Sequence, residues 1–263
     1  MRKIRVVIDP GHGGEDRWNR GPTSYIEADG VLKIAKYLKE ELENTGHFEV
    51  KLTREKDRTL SRKQRAEIAK DFKADLFISE HTNAFNGTAK GAEVFYSIQR
   101  PKDLSLASKM SRAIAGHFRT NNRGAKTRVA KSGEDYYGIL YFGALYHIPS
   151  ILLVESLFHD HIKEEQLLLE DHNLRSIAAL QGEVIKQHYG IKEEEIKKNR
   201  EEDPMEKNKE PSKEKSKEKS KKEETVDQLY RVQVGAFRHR ENALRLMDEL
   251  ENDGYPTYLV SPK

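Results

Sequence analysis

An α/β layer fold with a largely parallel sheet is what this sequence predicts, and three observations carry the prediction. Strand-like runs at about residues 4–8, 48–53, 75–80, 91–97 and 150–155 alternate with helical patterns at about 25–44, 61–73, 103–119 and 172–188. Two of the runs, Leu76-Phe77-Ile78 and Ile151-Leu152-Leu153-Val154, are continuously apolar, as central strands covered on both faces must be. The first and last helical segments each carry an apolar stripe wide enough to lie on a sheet.

In chain order, Ile4-Arg5-Val6-Val7-Ile8 forms the first strand and runs into Asp9-Pro10-Gly11-His12-Gly13-Gly14, a glycine-rich turn that carries a histidine. A side chain on that turn stands at the carboxyl end of a strand, where α/β proteins build their sites. The first helix follows Glu27 and repeats Val31, Ile34, Ala35, Leu38 and Leu42 at helical spacing. The third strand leads to Ser79-Glu80-His81-Thr82-Asn83, and the last strand to Glu155. Ile177, Ala178, Leu180 and Ile185 give the final helix its buried face.

The packed part ends near residue 190. Over residues 191–227 Lys and Glu dominate, Pro204 and Pro211 interrupt, and Ile191, Ile196, Met205 and Val226 are the only sizeable apolar groups. Such a segment cannot offset its ordering entropy by burial, so a solvated linker is expected. Residues 228–263 resume a pattern: a strand from Leu229 to Phe237, an amphipathic helix from Glu241 to Glu251 and a second strand from Tyr255 to Val260. This small β-α-β unit is short of the size at which a lone core is stable and needs a partner, either another copy or the main domain.

Composition narrows the chemistry. The 35% charged content and the mean hydropathy of -0.85 place much of the charge outside any core. A net charge of +3 and a pI near 8.7 carry no nucleic-acid signature, and no apolar run is long enough to insert in a membrane. The chain has no cysteine, so any metal would be held by histidine and carboxylate ligands.

His12, Glu27 and His81 supply such a set, two imidazoles and one carboxylate from three separate segments. A hydrolytic metal site needs about three protein ligands and one position open to water. Each residue also has a plainer reading: His12 as a turn residue among glycines, Glu27 as a favourable charge at a helix start, His81 as a strand cap. A phosphate cradle at the first turn is the poorer alternative, because neither G-x-G-x-x-G nor Walker spacing is present. Glu155 ends a buried strand, where a carboxylate is either a general base or one half of a buried ion pair. His159-Asp160-His161 reads as surface rather than as a second metal site.

Taken together, these residues resemble the zinc-dependent N-acetylmuramoyl-L-alanine amidases of the type 3 class. The resemblance runs from about residue 3 to 189 through Val7–Gly14, Glu27, Leu52-Thr53-Arg54 with Asp57, Arg65 before Ala69, Ala74–Ala84, Gly91–Tyr96 and Pro149–Glu155. It implies a six-stranded α/β domain over residues 1–190, one zinc ion held by His12, Glu27 and His81, and Glu155 as the catalytic carboxylate. The bond implied is the amide between the lactyl group of N-acetylmuramic acid and L-alanine of the peptidoglycan stem peptide. Three features depart from the family pattern: Leu157 stands where a small residue is usual, an asparagine is missing near His159, and Glu80 adds a charge beside a ligand. No inserted helix is expected to block the site.

The tail resembles one half of a SPOR-type peptidoglycan-binding module through Tyr230–Phe237 and Asn242-Ala243. A homodimer through this half module is therefore a candidate assembly. The resemblance implies peptidoglycan as the partner and wall lysis as the role, in sporulation or as a phage or prophage endolysin. The chain opens without a charged start and apolar signal core, so cytoplasmic synthesis and release by lysis or a pore are expected. Two rivals remain at this point: a wall-binding protein without catalysis, and a zinc peptidase cutting within the stem peptide.

Overall fold

The computed structural model describes residues 2–192. The expectations for the linker beyond Lys192, for the β-α-β tail and for its dimer concern residues outside that range.

Six strands form one sheet in the order β2-β1-β3-β6-β4-β5. They are β1 (Ile4–Pro10), β2 (Phe48–Leu52), β3 (Leu76–Asn83), β4 (Ala92–Tyr96), β5 (Asn122–Lys126) and β6 (Ser150–Phe158). All neighbouring pairs are parallel except β4 with β6. The helices are α1 (Glu27–Glu43), α2 (Arg62–Asp71), α3 (Leu104–His117), α4 (Gly138–Leu145), α5 (Ile162–Leu169) and α6 (Asp171–His188).

Side-chain alternation along the strands divides the core into two layers. Val6, Ile8, Leu76, Ile78, Leu152 and Val154 point to one face, where Ile34 and Leu38 of α1, Met110 and Ile114 of α3, and Ile177 and Ile185 of α6 cover them. Val7, Phe77, Ile151 and Leu153 point to the other face, beneath Ala66 and Ala69 of α2 and Ile139, Leu140 and Ala144 of α4. The start of α2 is set locally by a capping box in which Ser61 and Gln64 each bond the other's backbone N–H.

Three elements had no expectation in the sequence. β5, Asn-Arg-Gly-Ala-Lys, has no apolar alternation because it is an edge strand paired to β4 alone. α4, Gly-Ile-Leu-Tyr-Phe-Gly-Ala-Leu, is too short and too uniformly apolar to show a helical period. α5 has only eight residues. Glu155 does not end its strand, since β6 continues to Phe158 past a register shift opposite His81 and Asn83.

Candidate functional site

The carboxyl ends of β1 and β3 and the middle of β6 meet the start of α1 at a cleft of about 410 Å³. His12 stands on the turn after β1 in the left-handed region, φ 58°, a conformation costly for a side chain other than glycine. Gly11 beside it is required by proximity, because a Cβ there would lie 2.2 Å from Cε1 of the His81 ring. Gly13 and Gly14 take φ of 109° and 64°, and a Cβ at either would strike the backbone of Arg58 or Thr59.

Two buried arginines hold this turn through its carbonyl oxygens. Arg65 donates to Pro10 O and His12 O, both at 2.7 Å, and to Asp9 Oδ1 at 2.8 Å. Arg54 donates to Pro10 O at 2.9 Å, and to Gly11 O and Ala28 O at 2.7 Å, tying the turn to the first turn of α1. Burial and the neighbouring Arg65 charge pull Arg54 down to about 10, still protonated at neutral pH. Burial acts to raise the Asp9 carboxyl, but Arg65, Thr53 and Ser79 together outweigh it and hold it below the usual range.

Glu27, at the N-terminus of α1, is 1% exposed and lies at the centre of the group. Its Oε1 is 2.9 Å from His81 Nδ1 and accepts from Thr82 N at 3.0 Å. Its Oε2 is 3.3 Å from His12 Nε2 and accepts from Asn19 Nδ2 at 2.9 Å. Burial opposes the Glu27 charge, but the two histidines prevail and the carboxyl stays ionised far below its ordinary range. His12 in turn is raised, Glu27 and Asp16 outweighing its own burial. Asp16 Oδ2, 2.9 Å from His12 Nδ1, orients the imidazole so that Nε2 faces Glu27. The loop that delivers Glu27 is pinned by Glu165 of α5, which accepts from the N–H groups of Thr23, Ser24 and Tyr25.

The structure thus brings together His12, Glu27 and His81, with one donor atom from each within 4.8 Å of the others. Glu155 is the direct register partner of His81 across β3 and β6 and lines the same cleft. Its Oε2 is buried and has no hydrogen-bond partner among the described residues, and none of them forms an ion pair with it. Burial and the charges of Glu27 and Glu93 push its carboxyl well above the ordinary range.

Several sequence expectations change here. His159 is buried, with Nδ1 3.0 Å from both Thr82 Oγ1 and Thr82 O and its ring stacked on Tyr25. Asp160 accepts from Phe85 N and Gly87 N, and His161 accepts from Glu164 N at the start of α5. None of the three is a plain surface residue, and they form no second metal cluster among the described residues. Glu80 adds no charge beside His81, because alternation turns it to the opposite face, where Gln181 of α6 donates to it at 2.9 Å. Leu157 belongs to the core under α1, α3 and α6 and does not line the cleft.

Two participants escaped the sequence. Asn19 bonds the Glu27 and His12 atoms that face each other, through a single amide nitrogen. Glu93 of β4 lies opposite Glu155 in register and accepts from Asn83 Nδ2 and Arg123 Nε, both at 2.7 Å, and from Lys126 Nζ. Only the period of β4, with Glu93 between apolar residues, could have pointed to it.

Comparison with known proteins gives two family matches. A model described as N-acetylmuramoyl-L-alanine amidase matches residues 6–187, and a SPOR domain model matches residues 213–262, outside the described range. The N-acetylmuramoyl-L-alanine amidase AmiC of Escherichia coli O6:H1 is 31% identical over 160 residues, 59% of this chain and 36% of that protein. The chain therefore spans about a third of that relative's length. The endolysin of Bacillus phage SPP1 is 33% identical over 193 residues, 73% of this chain and 68% of that protein. Among solved structures, the amidase AmiC2 of Nostoc punctiforme superposes with a TM-score of 0.62 at 27% identity, covering 72% of this chain and 98% of that one.

Proposed function

The chain belongs to the N-acetylmuramoyl-L-alanine amidase family, and from that premise we propose that it hydrolyses the amide between the muramic acid lactyl group and L-alanine of peptidoglycan, using one zinc ion. The observation that carries the proposal is the meeting of His12, Glu27 and His81 in one cleft with Glu155, a half-buried glutamate whose buried Oε2 has no hydrogen-bond partner among the described residues.

The residues fit zinc on their own chemistry. Two imidazoles and a carboxylate converge, and the carboxylate is ionised by its histidine neighbours although buried. His12 is already oriented by Asp16, as metal-binding imidazoles usually are by a carboxylate. Bound there, zinc would polarise the scissile carbonyl and favour ionisation of the attacking water.

The chain's own groups do the rest. Glu155 Oε2 takes a proton from the attacking water and delivers it to the leaving amine of L-alanine, a role suited to a carboxyl raised well above its ordinary range by burial and by Glu27 and Glu93. Glu93 bridges Asn83 and the β5 cations behind it and so fixes the wall against which Glu155 stands. The two arginine clamps keep His12 from moving as the substrate enters.

The SPOR match supports retention on peptidoglycan by residues 213–262. We read the biological role as wall lysis, in sporulation or as an endolysin. The alignment to a phage endolysin over 68% of its own length supports the second setting, and the SPOR match is compatible with the first.

Digestion of purified peptidoglycan tests the activity. New N-terminal L-alanine that disappears on chelation and returns with zinc is the expected result. A different new amino terminus would make the protein a stem-peptide peptidase, and wall binding with no new terminus would make it a binding protein.

A further inference from the structure

The cleft is lined by four carboxylates, Asp9, Asp16, Glu27 and Glu155, and two arginines. One of the arginines, Arg65, is fully engaged with Asp9 and the carbonyls of Leu60, Pro10 and His12. The other, Arg62, makes no hydrogen bond or ion pair with any described residue, although its neighbour Lys63 pairs with Glu67. As the first residue of α2 it also sits where a helix disfavours a cation. Helix-dipole stabilisation does not favour it there, and no described residue pairs with it.

Its side chain is solvent-exposed, and its stem lies close to Gly138 at the edge of the cleft. A Cβ added at Gly138 would lie 2.8 Å from Arg62 Cδ and 3.7 and 3.8 Å from its Cβ and Cγ. The aliphatic stem therefore lies along bare backbone at the first residue of α4, against the cleft wall made by Tyr137, Gly138 and Ile139. Among the described residues no side chain caps that helix start, so its dipole adds positive potential to the same wall.

This inference rests on the amidase reading. In the substrate of that reaction the sugars are neutral and the lactyl carboxyl is consumed in the scissile amide, so the anionic groups are on the stem peptide. The first of them beyond L-alanine is the α-carboxylate of the γ-linked glutamate, which is absent where that residue is amidated. We propose that Arg62 binds this carboxylate, which makes the enzyme selective for stem peptides whose second residue is not amidated. A guanidinium can bond a carboxylate through two parallel N–H groups, whereas a carboxamide offers one acceptor and no charge.

The test uses the full-length zinc-loaded protein and a pair of synthetic N-acetylmuramoyl peptides that differ in a carboxylate or carboxamide at the second residue. Wild-type kcat/KM is expected to favour the carboxylate by at least about 10-fold, chiefly through KM. Arg62→Gln brings the two substrates within about 2-fold of each other, and Arg62→Lys keeps part of the preference. Equilibrium binding of the released peptides to wild type and Arg62→Gln reads the same contrast without turnover. Equal cleavage of both substrates by wild type, or an undiminished preference in Arg62→Gln, overturns the assignment. Failure of the amidase reading is distinct, since neither substrate would then yield N-terminal L-alanine, and the assignment would fall with it.

Discussion

His81 and Glu155 are register partners across the parallel pair β3 and β6, on the strand face that opens to the cleft. Their spacing is therefore set by a sheet ladder rather than by loop conformation, and a group that must act within a hydrogen bond's reach of a reacting atom benefits from that rigidity.

Glu155→Gln keeps the shape and removes the proton carrier. Turnover on peptidoglycan is expected to fall by about 10²–10⁴-fold, with zinc content by metal analysis and sedimentation with cell walls unchanged. Near-normal turnover would remove Glu155 from the chemistry.

Gly11→Ala introduces a methyl group where the His81 ring lies. Displacing that imidazole should weaken zinc binding by at least about 10-fold, the scale seen when ligand orientation is lost. Competition with a chromogenic chelator measures it, and an unchanged affinity would show that the ring has room to move.

Asp9→Asn leaves the Arg65 guanidinium buried without its counter-charge. The expected loss is about 3–5 kcal/mol in denaturant unfolding. The Asp9 carboxyl lies below its unfolded value, so its stabilisation is present above the unfolded value and is lost as pH falls through the folded one. The variant should therefore lose less stability than wild type on acidification below about pH 4.

Glu80→Gln reports the opposite sign. Burial lifts the Glu80 carboxyl to about 8 despite the Gln181 hydrogen bond. A carboxyl raised in the folded state stabilises below its unfolded value, near 4.3, and the contribution is lost as pH rises through about 8. At pH about 9 the variant should melt higher than wild type by at least about 3 °C, with a smaller difference at pH about 5. A constant offset across that range would point to packing alone.

Much of the site could be read from residue type and position. His12 sits in a glycine turn after a strand, and Glu27 and His81 stand at a helix start and near a strand end, so local pattern alone put them on the side of the sheet where sites form. Asn19 and Arg62 gave no such signal, because an asparagine in a loop and an arginine on a helix are ordinary until the chain folds around them. His159 misled for the reverse reason: its polar neighbours suggest solvent, yet Thr82 and Tyr25 enclose it.

By itself, the sequence determined the layers. Periods of 3.6 and 2 residues dictate which side chains are buried, and that is enough to place α1, α6 and the central strands. Only the tertiary structure decided what each buried polar group does. Strand alternation separates Glu80 from His81 by a whole sheet, although the two are adjacent in the chain, and register sets His81 beside Glu155, 74 residues later in the chain. The same carboxylate is thus a helix-facing acid at one position and a cleft group at another, because burial and neighbours, not residue type, fix its protonation and reach.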